Sequence, residues 1–326
     1  MRRRVRPPVV GPALAALALA AFVLAGCGGG GGQLARRDDG TTPSTPPVPA
    51  SGGADPIPVS RLSTPRSAAA VARELTAVET RLRAGDASAR SLRSLGERQQ
   101  RAYRALAAHP DWVAEVVAGV PPTLRTAVQA NVDAGAALAS LTPSDAAAPA
   151  DFPDWQIVAP EDAATLRAYY DEAERATGIS WTYLAAIHLV ETRLGRIRGP
   201  SSAGAQGPMQ FIPETWASYG EGDITSNHDA IQAAGRYLKA RGGPTDMDRA
   251  LFSYNNDDRY VAAIKDYASV LQADPDAFAG YHQWQVFVAT RDGVFLLPEG
   301  YGRAPRGLRP GPRPTAPGPS PAPTDG

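Results

Sequence analysis

The chain has 326 residues, 33 of them basic and 33 acidic, for a net charge of 0, and it holds one cysteine. That balance excludes the basic footprint of a nucleic-acid binder, and one cysteine excludes a disulfide framework. A mean hydropathy of −0.25 over 34.1 kDa leaves room for a sizeable core, with glycine and proline crowding the two ends.

Residues 1–26 predict a lipoprotein signal peptide. Arg2, Arg3, Arg4 and Arg6 make a basic start, 9–23 is an apolar run short for a membrane span, and Leu24-Ala25-Gly26-Cys27 is a lipobox-like ending. Cys27 is the expected lipidation site, which predicts an extracytoplasmic protein anchored by lipid to the outer face of the cell membrane. Loss of the four arginines of that segment takes the net charge from 0 to −4. Residues 27–60 are Gly-, Pro-, Thr- and Ser-rich and predict a disordered tether, and 304–326 predict a disordered Pro-rich tail.

Residues 61–142 read as an all-helical accessory region. Val71, Leu75, Val78 and Leu82 make one apolar seam, with Gly85 as its stop. Leu92, Leu95, Tyr103 and Leu106 make a second, residues 112–120 a third, and Leu124, Val128, Val132 and Leu138 a fourth. His109 stands alone beside Pro110, and no chemistry is legible here. Packing against the rest of the chain is the expected role, with a second protein as partner the other. The Pro/Ala stretch 142–153 marks a boundary.

The third region, 150–303, is expected to be a mainly helical domain. A helix over 160–177 ends at Gly178, and the next begins at Ser180 with Ile179 and Leu184 at the spacing of a hydrophobic staple and Gly195 as its stop. Leu184, Ile187, His188, Glu191 and Leu194 recur at steps of three and four, which puts one carboxylate on the apolar face. Glu191 has no basic side chain at i+3 or i+4 and lies near the negative helix end, so its pKa is expected to rise, as a proton donor requires. A loop of small residues follows at 199–208, then a polar and aromatic run at 209–216. Short helices are expected at 213–219, 231–241 and 261–271, and Asp292-Gly293 between β-formers predicts a hairpin.

Glu191-Thr192, then Gly204-Ala205-Gln206-Gly207-Pro208-Met209-Gln210-Phe211, then Tyr254-Asn255 resemble the three motifs of the lytic transglycosylase family of lysozyme-like fold. The Met209-Gln210-Phe211 form, with Trp216, Tyr219, Gly220, Gly222 and Asp223 downstream, is similar to the membrane-bound B-type branch. Ser253 and Asn256 depart from the usual small residues of the third motif. The resemblance implies a lysozyme-like α+β catalytic domain with a small C-terminal β-hairpin, and peptidoglycan glycan strands as substrate. It implies cleavage of the β-1,4 bond between N-acetylmuramic acid and N-acetylglucosamine with a 1,6-anhydro product, Glu191 as sole acid and base, and no cofactor. Thr192, Gly207, Met209, Gln210, Phe211, Tyr254 and Asn255 are the substrate-binding residues it implies, and a cell-wall protein is a candidate partner for the accessory helices.

Other readings stay open on the residues alone. A hydrolytic muramidase would use Glu214, Glu221 or Asp223 to place water. A non-catalytic glycan-binding lipoprotein would need no acid. His188 and Glu191 stand at His-x-x-Glu spacing, but no His-Glu-x-x-His or cysteine pair supports zinc, and the expectation is no metal.

Overall fold

Ser67 opens the first helix, α1 Ala68–Arg83, by accepting the Ala70 amide on its hydroxyl at 3.2 Å. The computed structural model describes residues 53–143 and 146–302. The expected signal peptide, Cys27, most of the expected tether and the tail lie outside those residues. After α1 come α2 Ala89–Ala108, α3 Val113–Gly119 and α4 Pro122–Ser140, the last begun by a proline at its first position. The four predicted seams therefore form four helices, with Val71, Leu75, Leu106, Val116 and Val128 fully buried.

The second half runs α5 Ala163–Thr177, α6 Trp181–Thr192, α7 Pro213–Tyr219, α8 Asn227–Ala240, α9 Met247–Asn255, α10 Asp258–Ala273 and α11 Ala277–His282. Gly178, at φ 80°, ends α5 in the left-handed conformation that its position predicts. Two small antiparallel sheets complete the fold. Strands β1 Ile57–Pro58, β4 Val286–Thr290 and β5 Gly293–Leu297 form one in the order β1-β5-β4, and β2 Gln156–Ile157 pairs with β3 Ile197–Arg198 in the other. The chain is thus mainly helical with little strand, a layout compatible with a mainly-α lysozyme-like fold.

One difference from the sequence reading matters. Ile57 and Pro58 lie opposite Leu296 and Phe295, so part of the segment expected to be tether is a paired strand; two residues are too few to leave an alternation in the sequence. The helical region packs against the rest of the chain. Its buried residues and those of α5–α11 belong to one continuous apolar cluster, in which α4 packs along α10. Polar groups seal the junction. Trp284 donates its indole N–H to Gln99 at 2.8 Å, Tyr281 its hydroxyl to Asn131 at 2.8 Å, and the Gln100 amide exchanges two hydrogen bonds with the Gln285 backbone, at 2.7 and 2.9 Å. Each partner is far away in sequence, which a reading by local periodicity cannot see.

Candidate functional site

Helix α6 carries the site. The Ser180 hydroxyl caps its start, and Ile179 and Leu184 are both fully buried. Its end differs from the expectation of a glycine stop. The helix finishes at Thr192, and Arg193, Leu194 and Gly195 follow at φ 54°, 60° and 78°, three consecutive left-handed residues. The backbone N–H of Leu194 bonds the His188 carbonyl at 3.1 Å, which closes the last turn. Nor does α6 keep a polar face: ten of its twelve residues are buried, all but Tyr183 and Glu191.

 The two exceptions, Tyr183 and Glu191, are only partly exposed.

Glu191 is therefore a half-buried acid in an otherwise apolar helix. Burial raises its pKa from 4.5 to about 7, and a hydrogen bond from Tyr260 works in the other direction. The Tyr260 hydroxyl, on the first turn of α10, donates to Oε1 at 2.7 Å. Tyr260 and Tyr254 stack with ring centroids 6.3 Å apart and planes 6° from parallel. Burial raises the pKa of both phenols well above 10.0, the nearby Glu191 charge adding to it, so both remain neutral donors.

Residues 206–211 form a tight turn beside the end of α6. Gln206 and Phe211 exchange two backbone hydrogen bonds, each 2.9 Å, and the Gln210 N–H closes on the Gly207 carbonyl at 3.1 Å. Gly207, at φ 72°, is required twice over: a Cβ there would lie 1.9 Å from the Ile224 carbonyl oxygen. The turn is pinned from both sides. Thr192 donates its hydroxyl to the Pro208 carbonyl at 2.6 Å, and Tyr254 donates to the Met209 carbonyl at 2.7 Å.

These contacts divide the expected substrate-binding residues. Glu191, Gln210 and Tyr254 are brought together with access to solvent. Thr192, Met209 and Phe211 are buried, with 0%, 0% and 3% of their surface exposed, so their side chains hold the scaffold and do not face a ligand. The reason is local: Thr192 caps the turn, Met209 alternates inward, and Phe211 packs edge-on to Trp216 and Tyr237. Asn255, at the last position of α9, is buried, and its side-chain carbonyl has no hydrogen-bond partner. Tyr260 is the residue that motif reading missed. Its signal was present in the spacing of Tyr260, Ile264, Tyr267 and Leu271, a hydroxyl on the apolar face of a helix.

The other acids and histidines lie elsewhere in the network. Glu214 is exposed in the first turn of α7, where the helix dipole favours a carboxylate. Glu221 is exposed and faces Arg236 at 3.7 Å, while Asp223 accepts from the Thr225 backbone and hydroxyl at 2.8 Å each. His188 shares a 2.8 Å hydrogen bond with Tyr170, and burial lowers its pKa to about 3, so it is neutral. His228 bonds Asp229 and Glu172, and His282 bonds the Glu161 carbonyl. Among the described residues no group of three or more His, Cys, Asp or Glu side chains is placed to hold a metal ion.

No protein-family model matches the chain, and no solved structure matches it. The chain is similar to the membrane-bound lytic murein transglycosylase F of Thiobacillus denitrificans, at 27% identity over 152 residues. The match covers 44% of this chain and 32% of that protein, so the chain spans about a third of the curated relative's length. This partial likeness supports the lytic transglycosylase family and does not single out the B-type branch.

Proposed function

We propose that the chain is a lytic transglycosylase that cleaves the β-1,4 bond between N-acetylmuramic acid and N-acetylglucosamine in peptidoglycan. The observation that carries this reading is Glu191, an acid of pKa about 7 held by Tyr260 at the surface of an apolar helix. A pKa raised toward neutrality suits a single carboxyl that gives a proton and then takes one back. In the proposed reaction Glu191 protonates the glycosidic oxygen. The muramic C6 hydroxyl then attacks C1 as Glu191 takes its proton, giving the 1,6-anhydro product. An internal nucleophile of this kind replaces the second carboxylate of ordinary glycosidases, because its effective molarity is high.

Gln210, Tyr254 and Asn255 would orient the sugar and its acetamido group, Asn255 from a buried position at the end of α9. Tyr260 would keep the Glu191 carboxyl aimed. The B-type branch, lipidation at Cys27, and a site of action outside the cell membrane belong to the same proposal; a membrane-bound relative that acts on murein, by its name, supports the last. The deciding experiment is mass spectrometry of the sugars released from purified sacculi. Products lighter by one water than hydrolysis products support the proposal, hydrolysed ends would replace it with a muramidase, and no release would leave a glycan-binding protein.

A further inference from the structure

A groove of about 470 Å³ opens between the 149–155 segment, the loop after β3 and strand β4, and the proposed chemistry makes no use of it. Trp155 and three prolines, Pro149, Pro153 and Pro200, supply its apolar walls. The groove is preformed. Trp155 donates its indole N–H to the Pro200 carbonyl at 3.3 Å, and Gly199 lets the chain pass so close that a Cβ there would lie 2.7 Å from the Trp155 ring. Asp151 and Asp154 stand exposed at its rim, and none of the residues that line it is basic. Among the described residues neither carboxylate has an ion-pair partner.

The floor adds a backbone donor. Strand β4 is the outer strand of its sheet among the described residues. Along its open edge the Arg291 N–H bonds the Pro149 carbonyl at 2.8 Å, and the Gln285 N–H bonds the Gln100 side chain at 2.7 Å. Ala289 lines the groove between these two, and the alternation of an antiparallel pair turns its N–H to the same edge.

The described residues end at this same corner. Tyr301 donates its hydroxyl to the Pro153 carbonyl at 3.0 Å, and Gly302 lies so close to Trp155 that a Cβ there would be 1.7 Å from the Trp155 carbonyl oxygen. Residues 303–313 follow directly, with Arg303, Arg306, Arg309 and Arg313, no acid, and three prolines, Pro305, Pro310 and Pro312. Their charge is opposite to that of the rim. The other segment that leaves nearby does not match it: Gly53 packs on Gly300 and Gly302, but residues 28–52 set Arg36 and Arg37 against Asp38 and Asp39.

We propose that this groove binds an extended peptide rich in proline and arginine, and that residues 303–313 of this chain are its occupant. Prolines pack on Trp155 and Pro153, arginines face Asp151 and Asp154, and a carbonyl of the segment accepts the Ala289 N–H. A polyproline-type strand leaves its carbonyls free for such a bond. Attachment at Gly302 holds the segment at an effective concentration on the order of millimolar, so weak contacts suffice. The site stands whether or not the reading of Glu191 is right.

The test uses the full chain in two forms, the parent and a variant with Arg303→Gln, Arg306→Gln, Arg309→Gln and Arg313→Gln, together with a synthetic peptide of residues 303–313. The variant should bind the peptide one-to-one with a Kd of about 1 mM or tighter, and the backbone amide NMR signals of Ser202 and Ala289 should shift as it does. The parent, whose groove is already filled, should bind roughly tenfold more weakly. Adding Asp151→Asn and Asp154→Asn to the variant should weaken the peptide roughly tenfold, and added salt should weaken it too. All these changes are at exposed or terminal positions, so melting temperatures should agree within a few degrees and report that each form is folded. A peptide of residues 33–43, with its balanced charge, should not bind. The proposal is overturned by an absence of saturable binding to the variant, by equal binding to the parent, by unchanged affinity without the two carboxylates, by signal shifts that spare Ser202 and Ala289, or by equal binding of the 33–43 peptide.

Discussion

Tyr260 and Glu191, 69 residues apart in the chain, meet in a 2.7 Å hydrogen bond in which the phenol donates to the carboxylate. The bond favours the ionised form, so it holds the Glu191 pKa below the value that burial alone would set. Tyr260→Phe removes it. The alkaline limb of the pH–rate profile should then move up by about one unit, because the acid keeps its proton longer. Turnover near neutral pH should fall by roughly 10-fold to 100-fold as the carboxyl loses its aim. A profile of cleavage rate between pH 5 and 9 for both proteins reads the two effects together; an unshifted limb would show that Tyr260 does not touch the titrating group.

Glu191→Gln should lower turnover on peptidoglycan by about 10² to 10⁴ and leave binding intact. Its effect on stability has a definite sign. The folded pKa of about 7 lies above 4.5, so between those pH values the native state binds more protons than the unfolded chain, and stability falls as pH rises through that window. The full penalty, on the order of 3 kcal/mol, is present only above about pH 7. Glu191→Gln should therefore melt higher than the parent at pH 8 and equally at pH 4.5. Glu214→Gln, an exposed change, should leave cleavage within a few-fold of the parent.

Gly207→Ala tests the turn. A methyl group 1.9 Å from a backbone oxygen cannot be absorbed by a side-chain rotation, and φ 72° adds strain. The loss should be about 2–4 kcal/mol of unfolding free energy, or displacement of the 206–211 turn with loss of activity. Chemical denaturation gives the first number, and a variant as stable and active as the parent would refute the geometry.

Removing residues 1–145 should not release an active catalytic fragment. It strips α4 from α10, and α10 carries Tyr260 together with the buried Ile264, Tyr267 and Leu271. Each large apolar side chain so exposed costs about 1.5–3 kcal/mol, and a few of them exceed the 5–15 kcal/mol that holds a typical domain. The fragment 146–302 is expected to be insoluble or to lack a cooperative melting transition.

What the sequence made legible was local. Ser180, Gly178 and Pro213 mark helix ends by backbone chemistry that needs no partner, and each stands where it was read. The hairpin was legible from Arg291-Asp292-Gly293, with Thr290 opposite Gly293. Glu191 was legible as an isolated acid in an apolar helix, although the helix is buried all round and not amphipathic. Harder to see were relations across long separations: the seat of Tyr260 on Glu191, the bond from Trp284 to Gln99, and the pairing of Ile57 with Leu296. Thr192, Met209 and Phe211 show a further limit, because a motif records which residues occur together and not which of them face outward.

Gln210 sits at φ 49°, a left-handed conformation that costs a residue with a side chain roughly 1 kcal/mol relative to glycine. Its amide makes one local bond, to the Gly207 carbonyl at 2.9 Å, in a turn already closed by backbone bonds. Among descendants selected for folding alone, position 210 would drift toward glycine or asparagine, the residues that this conformation favours. A lineage that had given up the proposed chemistry would thus carry a dated record of the loss at position 210, while buried Met209 beside it stayed the same.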